Sequence, residues 1–155
     1  LMHAAIGIAG ECSAELAQVN SRKNLIEECG DIEFYLVAYT LHAKIDPFAA
    51  SLQIVSKELF TLGPLLLQIS VEAGTLLDIT KKSWVYGKPL NEHAAAETVG
   101  TIYALLDFLY ELTALDRIQV QHLNQVKLIG PGGRFESGFY SDAAAITRAD
   151  KPAGE

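Results

Sequence analysis

This chain has few of the residues that staple a fold or bend it sharply. Its two cysteines, Cys12 and Cys29, form no CxxC pair and no framework. A disulfide scaffold is therefore excluded, and free thiols in a reducing cytoplasm are expected. Five prolines in 155 residues, in a composition 50% hydrophobic, exclude a disordered chain. Positive charge is scarce as well. Twelve Lys and Arg stand against 19 Asp and Glu, a net −7, which argues against bare nucleic acid or an anionic membrane as partner. A nucleotide stays open, because bound metal ions invert the local sign. No apolar run reads as a membrane span: "LFTLGPLLLQISVEAG" is short and interrupted by Gly63, Pro64 and Glu72. The start, "LMHAAIGIAGE", has neither a basic leader nor a cleavage site, so no signal peptide is expected in it. Strand patterning is weak.

What the chain does have is helical periodicity. The spacing predicts helices near 2–19, 22–43, 47–60, 64–83, 91–114 and 117–128, an all-α fold with a looped tail. Pro47 and Pro64 suit first-turn positions, Asn91 suits a cap, and "WVYGKPLN" (84–91) reads as a loop. The sequence also repeats itself. "EECGDIEFYL" from Glu27 lies over "ETVGTIYALL" from Glu97 at an offset of 70, and Lys57 meets Lys127 in the same register. "ECSAELA" from Glu11 lies over "VEAGTLL" from Val71 at an offset of 60. Two three-helix units, 1–62 and 63–129, with a tail over 130–155, are thus expected to share one core. The arrangement is that of a homodimer fused into one chain, which leaves a pseudo-dimeric monomer and a true homodimer both open.

Acids are distributed unequally between the units. On a helix Glu11 and Glu15 share a face, and His3 and Gly7 continue that stripe backward. In "NLIEECGDIEFYL" (24–36), Glu28, Asp31 and Tyr35 fall within one narrow arc, Glu27 lies at its edge, and Glu33 points away and is expected in solvent. If the first two helices pack antiparallel, the carboxylate pairs converge. Two unit charges ~4 Å apart repel by ~4 kcal/mol at a surface-like dielectric. The acids must then protonate, pair with bases or hold a metal. The local bases, Arg22 and Lys23, sit in the turn, and neither faces both pairs. All-oxygen donors select hard ions, so Mg2+ or Mn2+ is the expected occupant. In the second unit Glu11, Glu15, Glu28 and Asp31 become Val71, Thr75, Thr98 and Thr101. If the acids served folding, both units would need them. Solvated helix faces are the bland alternative for either pair taken alone.

"HAAIGIAGECSAEL", "NLIEECGDIEFYL" and the tail "GRFESGFYSDAAAITRADK" together resemble the MazG-like all-α nucleoside triphosphate pyrophosphohydrolases, the phage-type members in particular. The second element, with its ExxD, is the more specific match. Many relatives space the first acids as ExxE, whereas this chain has Glu11 and Glu15 four apart. The resemblance implies a magnesium-dependent enzyme that splits a nucleoside or deoxynucleoside triphosphate between its α- and β-phosphates. It implies Glu11, Glu15, Glu28 and Asp31 as metal ligands, with Glu15 or Glu28 acting on the attacking water. Tyr35 matches an aromatic placed near the nucleoside, and Asn124 with Lys127 matches an Asn-x-x-Lys of the nucleotide pocket. One composite site per chain follows, with metal ligands from the first unit and substrate contacts from the second. The base and sugar stay open; a deoxyuridine or deoxycytidine nucleotide and phosphoribosyl-ATP are related options. The competing reading is a non-catalytic helical module that binds nucleotides or partner helices.

Several further residues are candidates on chemistry alone. Trp84 and Tyr86 can stack a base, Lys81 and Lys82 can contact phosphates, and Arg134, Arg148 and Lys151 can close over them from the tail. Packing for Trp84 and plain exposure for the cations are the alternatives. "GPGGRF" (130–135) lacks the GK[ST] of a P-loop and follows no strand. Cys12 and Cys29 are expected to be buried, inert thiols. His42, His93 and His122 show no metal spacing, and His3 is a weak candidate beside Glu11.

Overall fold

A computed structural model describes residues 1–48 and 61–136, and every described element is helical. The first helix, α1, runs Met2–Gly10 and continues as a π-turn over Glu11–Glu15 and a 3-10 turn over Leu16–Gln18. It is followed by α2 (Arg22–Ala43), α3 (Leu62–Tyr86), α4 (Glu92–Thr113) and α5 (Arg117–Ile129). Past a turn at 47–48, the helix expected over 47–60 lies outside the described residues, as do Arg148 and Lys151.

Helix starts follow from capping side chains that accept an otherwise orphaned backbone N–H. Ser21 accepts from the Asn24 amide at 3.2 Å, Asn91 from that of Ala94 at 3.2 Å, and Asp116 from that of Gln119 at 2.7 Å. Pro64 falls in the first turn of α3, where its missing N–H costs nothing. The far end of α3 departs from expectation. It continues three residues beyond 83, because nothing breaks it before Gly87, which takes φ 61° and ends it. Trp84 and Tyr86 therefore lie on a helix rather than in a loop.

Helices α2 and α4 match in detail. Each has 22 residues, each follows a side-chain cap (Ser21, Asn91), and each ends on a non-glycine residue at positive φ, Lys44 at 55° and Ala114 at 51°. The Ile45 amide bonds the Thr40 carbonyl, and the Leu115 amide bonds that of Tyr110. Every one of these pairs is 70 residues apart. At the other offset, α1 begins at Met2 and α3 at Leu62.

α1 packs on α2 and α3, α4 lies on α3, and α5 lies on α2. The core between them holds Ile8, Leu16, Cys29, Ile32, Leu36, Leu65, Ile69, Leu76, Val99, Ile102, Leu105, Leu106 and Leu109, all essentially without solvent contact. Each such aliphatic side chain contributes about 1.5–3 kcal/mol by leaving water. A buried polar tie crosses the core: the Tyr39 hydroxyl meets Thr80 Oγ1 at 2.8 Å, and Thr80 in turn donates to the Leu76 carbonyl. By length and composition α3 could cross a membrane, with 25 residues and a hydropathy of 1.3. Its stripe of Leu65, Ile69, Ala73, Leu76 and Thr80 is nonetheless buried within this bundle.

Candidate metal centre

Two segments deliver the acids. Glu11 comes from the π-turn, and Glu28 and Asp31 come from one face of α2. One carboxylate oxygen of each lies within 4.8 Å of the other two, and all three residues are half-buried. Glu15 does not join them. In a regular α-helix it would sit one turn above Glu11, but here the Leu16 amide bonds the Glu11 carbonyl five residues back. The π winding thus sets Leu16, buried, over Glu11 and leaves Glu15 exposed at the rim.

Crowding acids this closely raises their proton affinity. Burial first, then the charge of Asp31 and a hydrogen bond with Glu28, push Glu11 up to about 8. Glu28 is raised as well, by burial first and then by the charges of Asp31, Glu27 and Glu15, while its bond from Glu11 pulls it down. In the metal-free protein, burial and like charge thus favour a proton shared between Glu11 and Glu28, which are hydrogen-bonded to each other. Asp31 is balanced differently, from α5. Lys127 Nζ lies 2.7 and 2.9 Å from its two oxygens and 3.3 Å from Glu27, and Asn124 Nδ2 donates to Asp31 Oδ1 at 2.5 Å. Burial, the largest single influence, would depress the Lys127 ammonium, but the charges and hydrogen bonds of Asp31 and Glu27 together outweigh it and hold the group above its ordinary value. The local counter-charge is thus Lys127, 96 residues from Asp31 in sequence, rather than Arg22 or Lys23.

Gly30 is what lets α5 come so close. A Cβ at Gly30 would stand 2.7 Å from Asn124 Cβ and 2.9 Å from Asn124 Nδ2. Below it, Tyr35 lies with its ring against Gly7, where an added Cβ would come within 2.7 Å, and edge-on to His3 and Phe34. Tyr35 is therefore half-buried between α1 and its own helix. No family model, curated protein or solved structure matches the chain.

The donor set suits a small hard cation. Two oxygens at about 2.1 Å from one ion are at most about 4.2 Å apart. The observed spread, up to 4.8 Å, is thus closed by side-chain shifts of under an ångström. Any incoming ion would displace the shared proton.

Other candidates stand elsewhere. Lys81 and Lys82 pair with Asp78 on their own helix at 2.9 and 2.6 Å, and these bonds, Lys82's foremost, pull the exposed Asp78 down to about 2. Trp84 and Tyr86 are 73% and 62% exposed on the last turn of α3. Arg134 lies in the turn after α5, beside Phe135, which is buried and stacks on Phe34. Cys12 and Cys29 are buried thiols, as expected; burial first, then the charge of Glu33, pushes Cys29 up to about 12.

Glu33 corrects the sequence reading outright. It is 3% exposed, not solvated. Its Oε1 accepts from Arg117 Nε at 2.7 Å and from the Tyr110 hydroxyl at 3.1 Å, and Oε2 accepts from Gln121 at 3.0 Å. α4 and α5 cover the side of α2 that periodicity had assigned to water, and the carboxylate is tolerated there because every bond is made. The pairing, 84 residues apart, leaves no local signature in the sequence. Gly30 does leave one: a glycine inside a strong helical pattern marks a close backbone approach.

Proposed function

We propose that this chain is a metal-dependent nucleotide pyrophosphohydrolase of the MazG-like kind, hydrolysing a nucleoside or deoxynucleoside triphosphate to the monophosphate and pyrophosphate. The observation that carries this reading is the half-buried Glu11, Glu28 and Asp31 triad, with oxygens within 4.8 Å, closed from α5 by Asn124 and Lys127. The matched caps of α2 and α4 support the accompanying proposal that the chain is a duplicated unit with one composite site.

Glu11, Glu28 and Asp31 would hold Mg2+ or Mn2+. When bound, the ion neutralises phosphate oxygens and lowers the pKa of a water to the neutral range. Glu15, exposed at the rim and outside the triad, is the carboxylate left to take the proton of the attacking water. Lys127 orients Asp31 through both oxygens and brings positive charge beside it, while Asn124 donates to Oδ1 of the same carboxylate. Water oxygen bonds to phosphorus, the bridge between the α- and β-phosphates breaks, and pyrophosphate leaves.

The test is incubation of the protein with Mg2+ and a panel of nucleoside and deoxynucleoside triphosphates, with products followed by phosphorus NMR. Monophosphate plus pyrophosphate, lost in Glu28→Gln, is the expected result; orthophosphate overturns the bond assignment. A second reading draws on Lys127 and the shared proton, which let the acids coexist without an ion. On that reading the chain is a non-catalytic nucleotide-binding module, and nucleotide binding without metal or turnover decides for it.

A further inference from the structure

Beside Asp31, between the start of α2 and α5, lies a cleft of about 480 Å³ lined by Arg22, Lys23, Ile26, Glu27, Leu123, Asn124 and Lys127, the last two of which bond Asp31. That volume is within the range of small-molecule sites. Its charge runs against that of the chain: three cations face one acid here, in a protein of net −7. Two of the cations are already engaged. Arg22 donates to the Thr113 and Ala114 carbonyls at 2.8 and 2.7 Å, and Lys127 holds Asp31 and Glu27. Lys23 is exposed and makes no ion pair among the described residues. Lys127 and Asn124 both line the cleft and touch Asp31, so a ligand lying there would run directly onto the acid cluster.

A second cleft, which shares Asn124 with the first, has a different chemistry. It is lined by Glu33, Phe34, Val37, Gln121, Gln125 and Leu128 among others and contains no cation. An elongated ligand with one anionic and one uncharged end therefore has a single sensible orientation at the acids. We infer that the Arg22–Lys23–Lys127 cleft is the subsite for the β- and γ-phosphates, the end released as pyrophosphate. This assignment takes its substrate from the hydrolase reading, but its test does not need turnover.

The probe is inorganic pyrophosphate, titrated calorimetrically into the whole protein. Wild type is expected to bind it with an affinity that falls as salt rises. Lys23→Gln, an exposed change that leaves the fold intact, is expected to weaken binding about fivefold, the upper range for one exposed charge. Lys88→Gln, the same change of net charge in the loop after α3, is expected to leave it unaltered. Absence of binding, or equal weakening by Lys23→Gln and Lys88→Gln, overturns the subsite. Binding that depends on Lys23 in a protein without hydrolysis keeps the subsite and removes the enzyme. Turnover whose KM for triphosphate ignores Lys23→Gln keeps the enzyme and removes the subsite.

Discussion

Helices α2 and α4 share length, cap chemistry and left-handed exit, yet they treat the same face in opposite ways. Where α2 has Glu28 and Asp31, α4 has Thr98 and Thr101, whose hydroxyls donate to the Ala94 and Glu97 carbonyls of their own helix at 2.8 and 2.9 Å. The first helices diverge likewise. α1 opens into a π-turn at Glu11–Glu15, while α3 runs regularly through Val71 and Thr75, the latter donating to the Val71 carbonyl. At these positions the second half satisfies its hydroxyls within their own helices. The other leaves three carboxylates that need a proton, a lysine from α5 or an ion. A helix of the length and capping of α2 is thus built without acids in α4, so neither property requires them.

The severest way to break this comparison is to give the first half the residues of the second. The triple variant Glu11→Val, Glu28→Thr, Asp31→Thr is expected to stay folded, to lose Mn2+ binding in calorimetry, and to lose about a thousandfold in turnover, the scale on which charge stabilisation acts. Its pH profile is the sharper signature. Glu11 has its folded pKa raised from 4.5 to about 8, so the folded protein keeps a proton that the unfolded chain has lost. In metal-free wild type that stabilisation is fully present below about 4.5 and is lost as pH rises through about 8. Denaturant titrations should therefore show stability falling across this window in wild type and flat in the triple variant. An unchanged wild-type slope in the variant would remove the shared proton, and with it the coupling of the acids.

Glycines sharpen the contrast at a smaller scale. Gly30→Ala drives a Cβ to 2.7 Å from Asn124 Cβ, which cannot swing aside without α5 moving. Overpacking of this kind costs about 1–3 kcal/mol, of which better helix propensity returns about 1. Retreat of Asn124 and Lys127 should also weaken Mn2+ binding about tenfold, as loss of an outer hydrogen-bonding partner does. In α3, Gly74 has nothing within 4 Å of an added Cβ, and Gly74→Ala is expected to stabilise by about 0.5–1 kcal/mol with no change in metal affinity. Thermal melts and calorimetry on the two variants test both signs.

The sequence was informative where a local rule applied. Helical periodicity placed α2, α4 and α5 almost to the residue, because caps at Ser21, Asn91 and Asp116 are encoded by the residue itself, whereas the regular helix expected over 2–19 holds only to Gly10. Glu11, Glu28 and Asp31 were legible from helical geometry, since i,i+3 neighbours on α2 must share a face. Glu15 escapes the same rule: α-helical spacing does not hold across the π-turn, which nothing in "ECSAE" announces, and its side chain is exposed. Glu33 was misplaced because a carboxylate is assigned to water until its partners are known, and Arg117, Tyr110 and Gln121 come from helices 77 to 88 residues away. The role of Lys127 as counter-charge to Asp31 has the same origin.

The gentlest test concerns the ends of α2 and α4. Lys44 and Ala114 both stand in the left-handed region, at φ 55° and 51°, where a Cβ crowds the following carbonyl and L-residues pay about 1–2 kcal/mol. Glycine removes that crowding but adds freedom to the unfolded chain, so Lys44→Gly and Ala114→Gly should each gain about 0.5–1 kcal/mol. Neither residue touches the acids, so metal affinity should stay constant in both. If the two helices descend from one unit, the same backbone strain was inherited twice, and the two gains should agree within about 0.5 kcal/mol, near the limit to which such effects are independent. Urea titrations of both variants measure this directly. A gain at one end with a loss at the other would mean that the matched φ values arise from different surroundings, and the likeness of α2 to α4 would then be one of length and capping alone.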